Sequence, residues 1–247
     1  MAFHSLGRER GDSMVNEHWQ MLTESFPQLL EYGIKVTIPL SILSFALGLA
    51  IAVTVALIQY ANVRFLRRLC RFYIWITRGT PLLVQLFIVF YGLPDIGIKL
   101  SNYLSAFLVL GFNEGAYMAE TMRGALESVP RGQMEAGYCA GMNYVQIMGH
   151  VVLPQAFRTA FPALGNSMIA MVKDTSMAAS ITMAEMFRQA QIISGQRGDV
   201  LLLYCEAAVI YLLLCSLLTF VQGRLENKFE WKKRDETKES TPSPAEA

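Results

Sequence analysis

"EAGYCAGMNYVQIMGHVVLPQA", residues 135 to 156, interrupts a chain that otherwise reads as one apolar run after another. The stretch is too rich in glycine and polar side chains to cross a bilayer, and too apolar to be a solvated loop. It lies within a connection running from Gly124 to Thr159, long for a simple link between two helices. Ser128 and Pro130 stand where a helix cap and a first turn are expected. Gly141 followed by Asn143 breaks one helix and starts the next, and Pro154 ends the second. The spacing therefore predicts two short helices bent at Gly141 and lying at a membrane surface. Small residues Ala136, Gly137, Ala140 and Gly141 would leave a smooth face that a groove in another protein can approach closely.

Composition supports a membrane setting. Of 247 residues, 53% are hydrophobic and 17% charged, with a mean hydropathy of +0.34, whereas a soluble domain has about a quarter of its residues charged. Apolar runs near the length a bilayer requires fall at roughly 34–58, 79–94, 103–123, 160–182 and 200–221. The second is short and closes on a Gly-Leu-Pro stop; the third is polar at its middle. The expected fold is all-α and polytopic, with five transmembrane helices spanning 33–223. Residues 1–32 would be an external or interfacial segment, including an amphipathic helix near 17–33, and they lack the marks of a signal peptide. Met14 is an alternative start. Residues 224–247 read as a charged cytoplasmic tail with a disordered Ser/Thr/Pro-rich end.

Lysine and arginine set the expected orientation. Arg64, Arg67, Arg68, Arg71, Arg78, Arg123, Arg131, Arg158 and the tail cations Arg224, Lys228, Lys232, Lys233, Arg234 and Lys238 fall on one side, 14 of 21 in all. Arg8, Arg10, Lys35, Lys99, Arg188 and Arg197 fall on the other. The N-terminus is thus expected outside, and the C-terminus and residues 128–154 in the cytoplasm. Cys70, Cys139, Cys205 and Cys215 share no CxxC spacing, and His4, His18 and His150 are far apart, so no disulfide framework, metal site or catalytic centre is expected. Nothing suggests nucleic acid.

Glu135-Ala136-Gly137, three residues, Gly141, nine residues, then Val151-x-Leu153-Pro154 resembles the EAA signature of the membrane subunits of bacterial ABC importers. Glycine replaces the second alanine and valine an isoleucine. "RGTPLLVQLFIVFYGLP" (78–94), "FNEGAYMAETMRGALESVPRGQMEAG" (112–137) and "KDTSMAASIT" (173–182) resemble the second, third and fourth spans of that family's polar amino acid branch, and the likeness covers roughly residues 26–229. It implies a type I importer permease fold in the bacterial inner membrane. Glu135, Ala136, Gly137, Gly141, Leu153 and Pro154 would form the coupling loop against a cytoplasmic ABC ATPase, where ATP-Mg is held. The other implied partners are an extracytoplasmic amino-acid-binding protein, a second permease copy or a homologous permease, and lipid. The chain has no GxxxxGK[ST], so it cannot hydrolyse ATP itself.

A charge near the bilayer centre costs at least about 2.5–3.5 kcal/mol and usually faces a cavity or partner. Glu114, flanked by Asn113 and with Tyr117 a turn on, is a candidate for a substrate ammonium, or else a buried carboxylate bonded to a neighbouring helix. The family pattern usually has a small residue where Glu114 stands. Lys173, Asp174 and Thr175 are candidates for substrate contact or for a structural or gating role. Glu120 and Arg123 are spaced for a local ion pair. Glu206 is expected to snorkel to the surface, and Gly48, Gly92 and Gly111 to permit close packing. The ending "ITMAEMFRQAQIIS" (181–194) leans toward family members that import cystine. Two rival classes are an ion-coupled secondary transporter or channel, and an intramembrane enzyme. Five spans without an inverted repeat count against the first, and the lack of a nucleophile-base pair against the second.

Overall fold

The computed structural model describes residues 18–61 and 63–239, with side chains as far as Asn227, and among these residues every regular element is helical. Residues 1–17 and 240–247, which hold the alternative start and the end of the tail, lie outside the described residues. The first helix, α1, covers 18–32 and continues through a π-turn (Gly33–Thr37) into α2 (Ile38–Tyr60). After it come α3 (Arg64–Gly79), α4 (Leu82–Phe87), α5 (Asn102–Ser128), α6 (Arg131–Cys139) and α7 (Tyr144–Ile147). Then follow α8 (Leu153–Asp174), α9 (Met186–Arg197) and α10 (Val200–Glu239). The helix expected near 17–33 is therefore not a separate element but continuous with α2, because nothing stops the chain at residue 33. Likewise α10 runs on to Glu239, through much of the charged stretch expected to be a solvated tail.

Three prolines in these helices are each accommodated by a wider turn just before them. Pro39, Pro94 and Pro154 each stand two residues after a π-turn, namely Gly33–Thr37, Ile88–Gly92 and Met148–Val152. A proline cannot donate to the carbonyl four residues back, and its ring crowds that carbonyl. The preceding turn widens instead, so that Ile38, Leu93 and Leu153 donate to Gly33, Ile88 and Met148, five residues back. Pro154 thus does not end a helix: α7, its π-turn and α8 are continuous. Among the described residues, His18–Tyr60 and Val200–Asn227 are long and apolar enough to cross a membrane, and the bent pair Arg64–Gly79 and Leu82–Ile96 qualifies together as a third. Helices α5 and α8, of 27 and 22 residues, have the length, but polar groups break their apolar course.

The chain divides into two compact units: residues 1–44, 81–110 and 171–214, and residues 45–80, 111–170 and 215–247. The first unit holds two apolar clusters, one around Leu40, Leu86, Leu110 and Ile181 and the other around Leu29, Met186, Leu203 and Ile210. The second holds one, around Ala56, Ile74, Met122, Leu126, Ile147 and Val152. There α2 and α5 approach closely: a Cβ on Gly48 would lie 3.0 Å from the Gly111 carbonyl oxygen and 3.2 Å from the Gly115 nitrogen. Backbone this close requires small residues on both helices. Gly92 has nothing within 4 Å of a Cβ, so the packing role expected for it fails.

Two buried carboxylates tie the first unit together. Glu206 is buried and does not snorkel, because Ser25 donates to its Oε2 at 2.6 Å. Glu185 is fully buried and caps α9, accepting from the Arg188 backbone N–H at 2.7 Å and the Tyr211 hydroxyl at 2.9 Å. Burial pushes its pKa up to about 7, against the opposing hydrogen bonds from Phe187, Arg188 and Tyr211. Because the folded chain holds this proton more tightly than the unfolded one, stability is expected to fall as pH rises between about 4.5 and about 7 and then to level off. The melting temperature of the purified chain should show this slope, and Glu185→Gln should abolish it; a slope unchanged in Glu185→Gln would assign the effect to another group.

Candidate functional site

The stretch from α6 to the start of α8 is a folded element in its own right. Pro130 precedes α6, leaving Ser128 to close α5 by donating to the Ala125 carbonyl at 2.8 Å rather than to cap the next helix. At the end of α6 the Met142 N–H bonds the Gly137 carbonyl and the Gly141 N–H bonds the Tyr138 carbonyl. Gly141 has φ +79°, the left-handed conformation that glycine adopts at a helix C-terminus. Asn143 then starts α7 with a complete capping box: its side chain accepts from the Gln146 N–H, and its own N–H donates to the Gln146 side chain, both at 2.9 Å. Helix, bend at Gly141 and second helix are where the sequence put them.

The glycines and alanines of this element do not form one smooth face. Gly137 is buried, and a Cβ on it would meet Ile147 Cγ1 at 2.7 Å, so its small size lets α7 close onto α6. Glycine in place of the signature's second alanine is therefore an internal packing requirement. Ala136, Ala140 and Gly141 are exposed. So are Glu135 and Pro154, while Leu153 is half-buried against the core. The outward surface is instead marked by large side chains that sequence reasoning passed over: Tyr138, Tyr144 and above all Val145, which is 77% exposed. For Val145 a signal was present: it stands two residues before Ile147 on α7, which turns it about 200° away from that buried side chain. Ile147, Met148 and Val152 anchor the pair from beneath.

The polar candidates fall into two groups, one in each unit. In the second unit, Asn113 and Glu114 are buried on α5. Tyr117 is exposed and its ring lies under the Arg78 guanidinium at 5.1 Å, a cation–π contact. The three do not share one environment, since Tyr117 is engaged by Arg78. Further along, Arg123 bonds Glu120 at 3.0 Å, as its spacing suggested, and Glu127 at 2.8 Å as well.

In the first unit, Lys173 is exposed, Asp174 half-buried and Thr175 fully buried. The α-helical winding of α8 stops at Asp174 and tightens to a 3₁₀ turn, Thr175–Ile181. Hydroxyls serve the carbonyls at this change of pitch: Thr175 Oγ1 donates to Val172 at 2.7 Å, Ser176 Oγ to Lys173 at 2.7 Å and Ser180 Oγ to Met177 at 2.7 Å. Thr175 is thus committed to the backbone. Among the described residues no three His, Cys, Asp or Glu side chains cluster as metal ligands do.

The described residues thus form an all-helical chain with a capped helix pair in a long connection and buried polar groups on its helices. Residues 44–231 match the family described as "Binding-protein-dependent transport system inner membrane component", and the chain belongs to that family. It is a permease subunit of the amino acid ABC importers, and ATP hydrolysis belongs to a separate subunit. It is 45% identical to the L-cystine transport system permease protein TcyB of Bacillus subtilis over 86% of this chain and 91% of that one. Against the glutamine transport system permease protein GlnP of Escherichia coli the identity is 32%, over 86% and 97%. A crystal structure of an amino acid ABC transporter with histidines superposes with a TM-score of 0.74 at 30% identity, covering 87% of this chain and 97% of that one.

Proposed function

We propose that this chain forms, with a second permease subunit, the pathway of an importer for a polar amino acid, with L-cystine the leading substrate. It has five spans, an external N-terminus and a cytoplasmic C-terminus, and it receives its substrate from an extracytoplasmic binding protein. The observation that carries the mechanism is the α6–α7 pair. It is rigidified by the Asn143 capping box and the Gly137–Ile147 contact, yet it presents Tyr138, Tyr144 and Val145 outward. A rigid apolar knob fits a cleft in an ATPase subunit. ATP-driven closure of two such subunits would pull the knobs together and bias the spans between inward-open and outward-open states. The 45% identity to an L-cystine permease, together with "ITMAEMFRQAQIIS", supports cystine.

Glu114 is the best-supported substrate contact, since a buried carboxylate at the middle of a span suits an α-ammonium. Proteoliposomes holding this chain, its ATPase and its binding protein should take up labelled cystine only with ATP, and Glu114→Gln should cut that uptake several-fold while leaving assembly intact. Uptake that persists on a proton gradient without ATP would overturn the importer reading, and unchanged kinetics in Glu114→Gln would remove Glu114 from the pathway. A thermal-shift screen of the binding protein against common amino acids decides the substrate: if none stabilises it, the amino acid assignment fails.

A further inference from the structure

Helix α3, "RFLRRLCRFYIWITRG" (Arg64–Gly79), has a composition that suits neither a span nor a solvated helix: five arginines, no acidic residue and several large apolar side chains. At 100° per residue its positions sort into three faces. Cys70, Ile74 and Thr77 are buried and form the protein-facing side. That side is pinned to α5 by Tyr73, whose hydroxyl donates to the Phe112 carbonyl at 2.5 Å and whose ring meets the Phe112 ring edge-on. Phe65, Leu69, Phe72 and Ile76, spaced four, three and four apart, form a second face, and all four are exposed, Phe65 by 70%. Arg64, Arg68, Arg71 and Arg78 form the third, with Trp75, 71% exposed, set among them and its ring leaning to within 6.0 Å of the Phe72 ring on the apolar stripe.

The two outward faces make opposite demands. The aliphatic and aromatic stripe needs hydrocarbon, and the arginine row needs water or anions. A helix lying along a bilayer surface satisfies both, with the tryptophan at the boundary between acyl chains and headgroups. Arg78 is engaged by Tyr117, but among the described residues Arg64, Arg68 and Arg71 make no ion pair with a carboxylate. They occupy successive turns, so their guanidinium groups form a line of positive charge about 10 Å long beside the apolar stripe. Guanidinium groups pair with phosphate in two-pronged fashion.

We infer that α3 is a binding site for anionic phospholipid, in which Arg64, Arg68 and Arg71 hold the phosphate headgroups while Phe65, Leu69, Phe72 and Ile76 lie among the acyl chains. The occupant is lipid rather than free phosphate, because the apolar stripe beside the row has no use for an inorganic ion. The site anchors the chain ahead of α4 independently of what is transported, so its test does not depend on the substrate or on the ATPase.

The full-length chain purified in detergent is titrated with dioleoylphosphatidylglycerol, with dioleoylphosphatidylcholine or with inorganic phosphate, and its melting temperature is read. Phosphatidylglycerol should stabilise it at concentrations roughly 10- to 100-fold lower than phosphatidylcholine, and inorganic phosphate should do nothing. Arg64→Gln/Arg68→Gln/Arg71→Gln should erase the preference, and the triple Arg→Lys variant should recover part of it. In a chain whose other tryptophans, Trp19 and Trp231, are replaced by phenylalanine, brominated phosphatidylglycerol in nanodiscs should quench Trp75 fluorescence. Equal response to the two lipids in the wild type, or a preference intact in the triple glutamine variant, overturns the proposal. So does an unquenched Trp75, which would mean that a protein and not lipid covers this face.

Discussion

Gly48→Val is expected to destabilise the chain by about 2–3 kcal/mol, seen as a melting temperature lowered by several degrees in detergent and as reduced membrane abundance. The cost arises because the contact opposite Gly48 is backbone. Its Cβ would already press on the Gly111 carbonyl and the Gly115 nitrogen, and on Met118 Cε at 2.9 Å. Methionine can swing away; a helix backbone cannot move without parting α2 from α5 and unpacking the Ala52, Ala116 and Ala119 layer beside it. Gly115 mirrors the constraint, since a Cβ there would meet the Gly48 carbonyl at 3.2 Å, Ile51 Cβ at 3.2 Å and the Tyr73 hydroxyl at 3.1 Å. The control is Gly92→Ala, at a position with open space around it, where stability should be almost unchanged. A Gly48→Val chain that melts with the wild type would mean that α2 and α5 can separate at little cost.

This contrast shows what sequence could and could not reveal. Gly48, Gly92 and Gly111 are equivalent as letters within apolar runs, but only a crossing partner makes a glycine matter, and the partner is far along the chain. Local chemistry was legible: Gly141 and Asn143 specify a left-handed turn and a cap whatever surrounds them, and Glu120 and Arg123 pair within one helix. Nonlocal chemistry was not. Glu206 looks free to reach the surface until Ser25, 181 residues earlier, takes its carboxylate. Glu185 drew no notice because its partners, the start of α9 and Tyr211, converge only on folding. Pro154 read as a stop because sequence rules assume a fixed helical pitch, whereas the π-turn before it changes the pitch and lets the helix run on into α8; at Pro94 the expected stop holds, since that helix ends at Ile96 and Gly97 turns left-handed.

Val145→Asp is expected to abolish ATP-driven uptake, by more than tenfold, in a chain that still inserts and folds. The side chain points outward at the second position of α7, so no packing is lost. A carboxylate in the first turn of a helix is if anything stabilising, and the Asn143–Gln146 capping box and the buried Ile147 remain as they were. Only a partner would notice. If α7 inserts into a cleft of the ATPase, the new charge must be desolvated without a counter-ion, a cost of several kcal/mol. The ATPase should then fail to co-purify. Gly141→Asp is a less clean probe, because φ +79° there strains any side chain and mixes a folding defect with a docking one. The decisive comparison pairs Val145→Asp with Val145→Ala, which shortens the knob without charging it and should keep most uptake. If Val145→Asp transports at the wild-type rate with the ATPase bound, the exposed tip of α7 is not the docking surface. The coupling contact would then have to lie on the outer face of α6, around Glu135, Ala136 and Cys139.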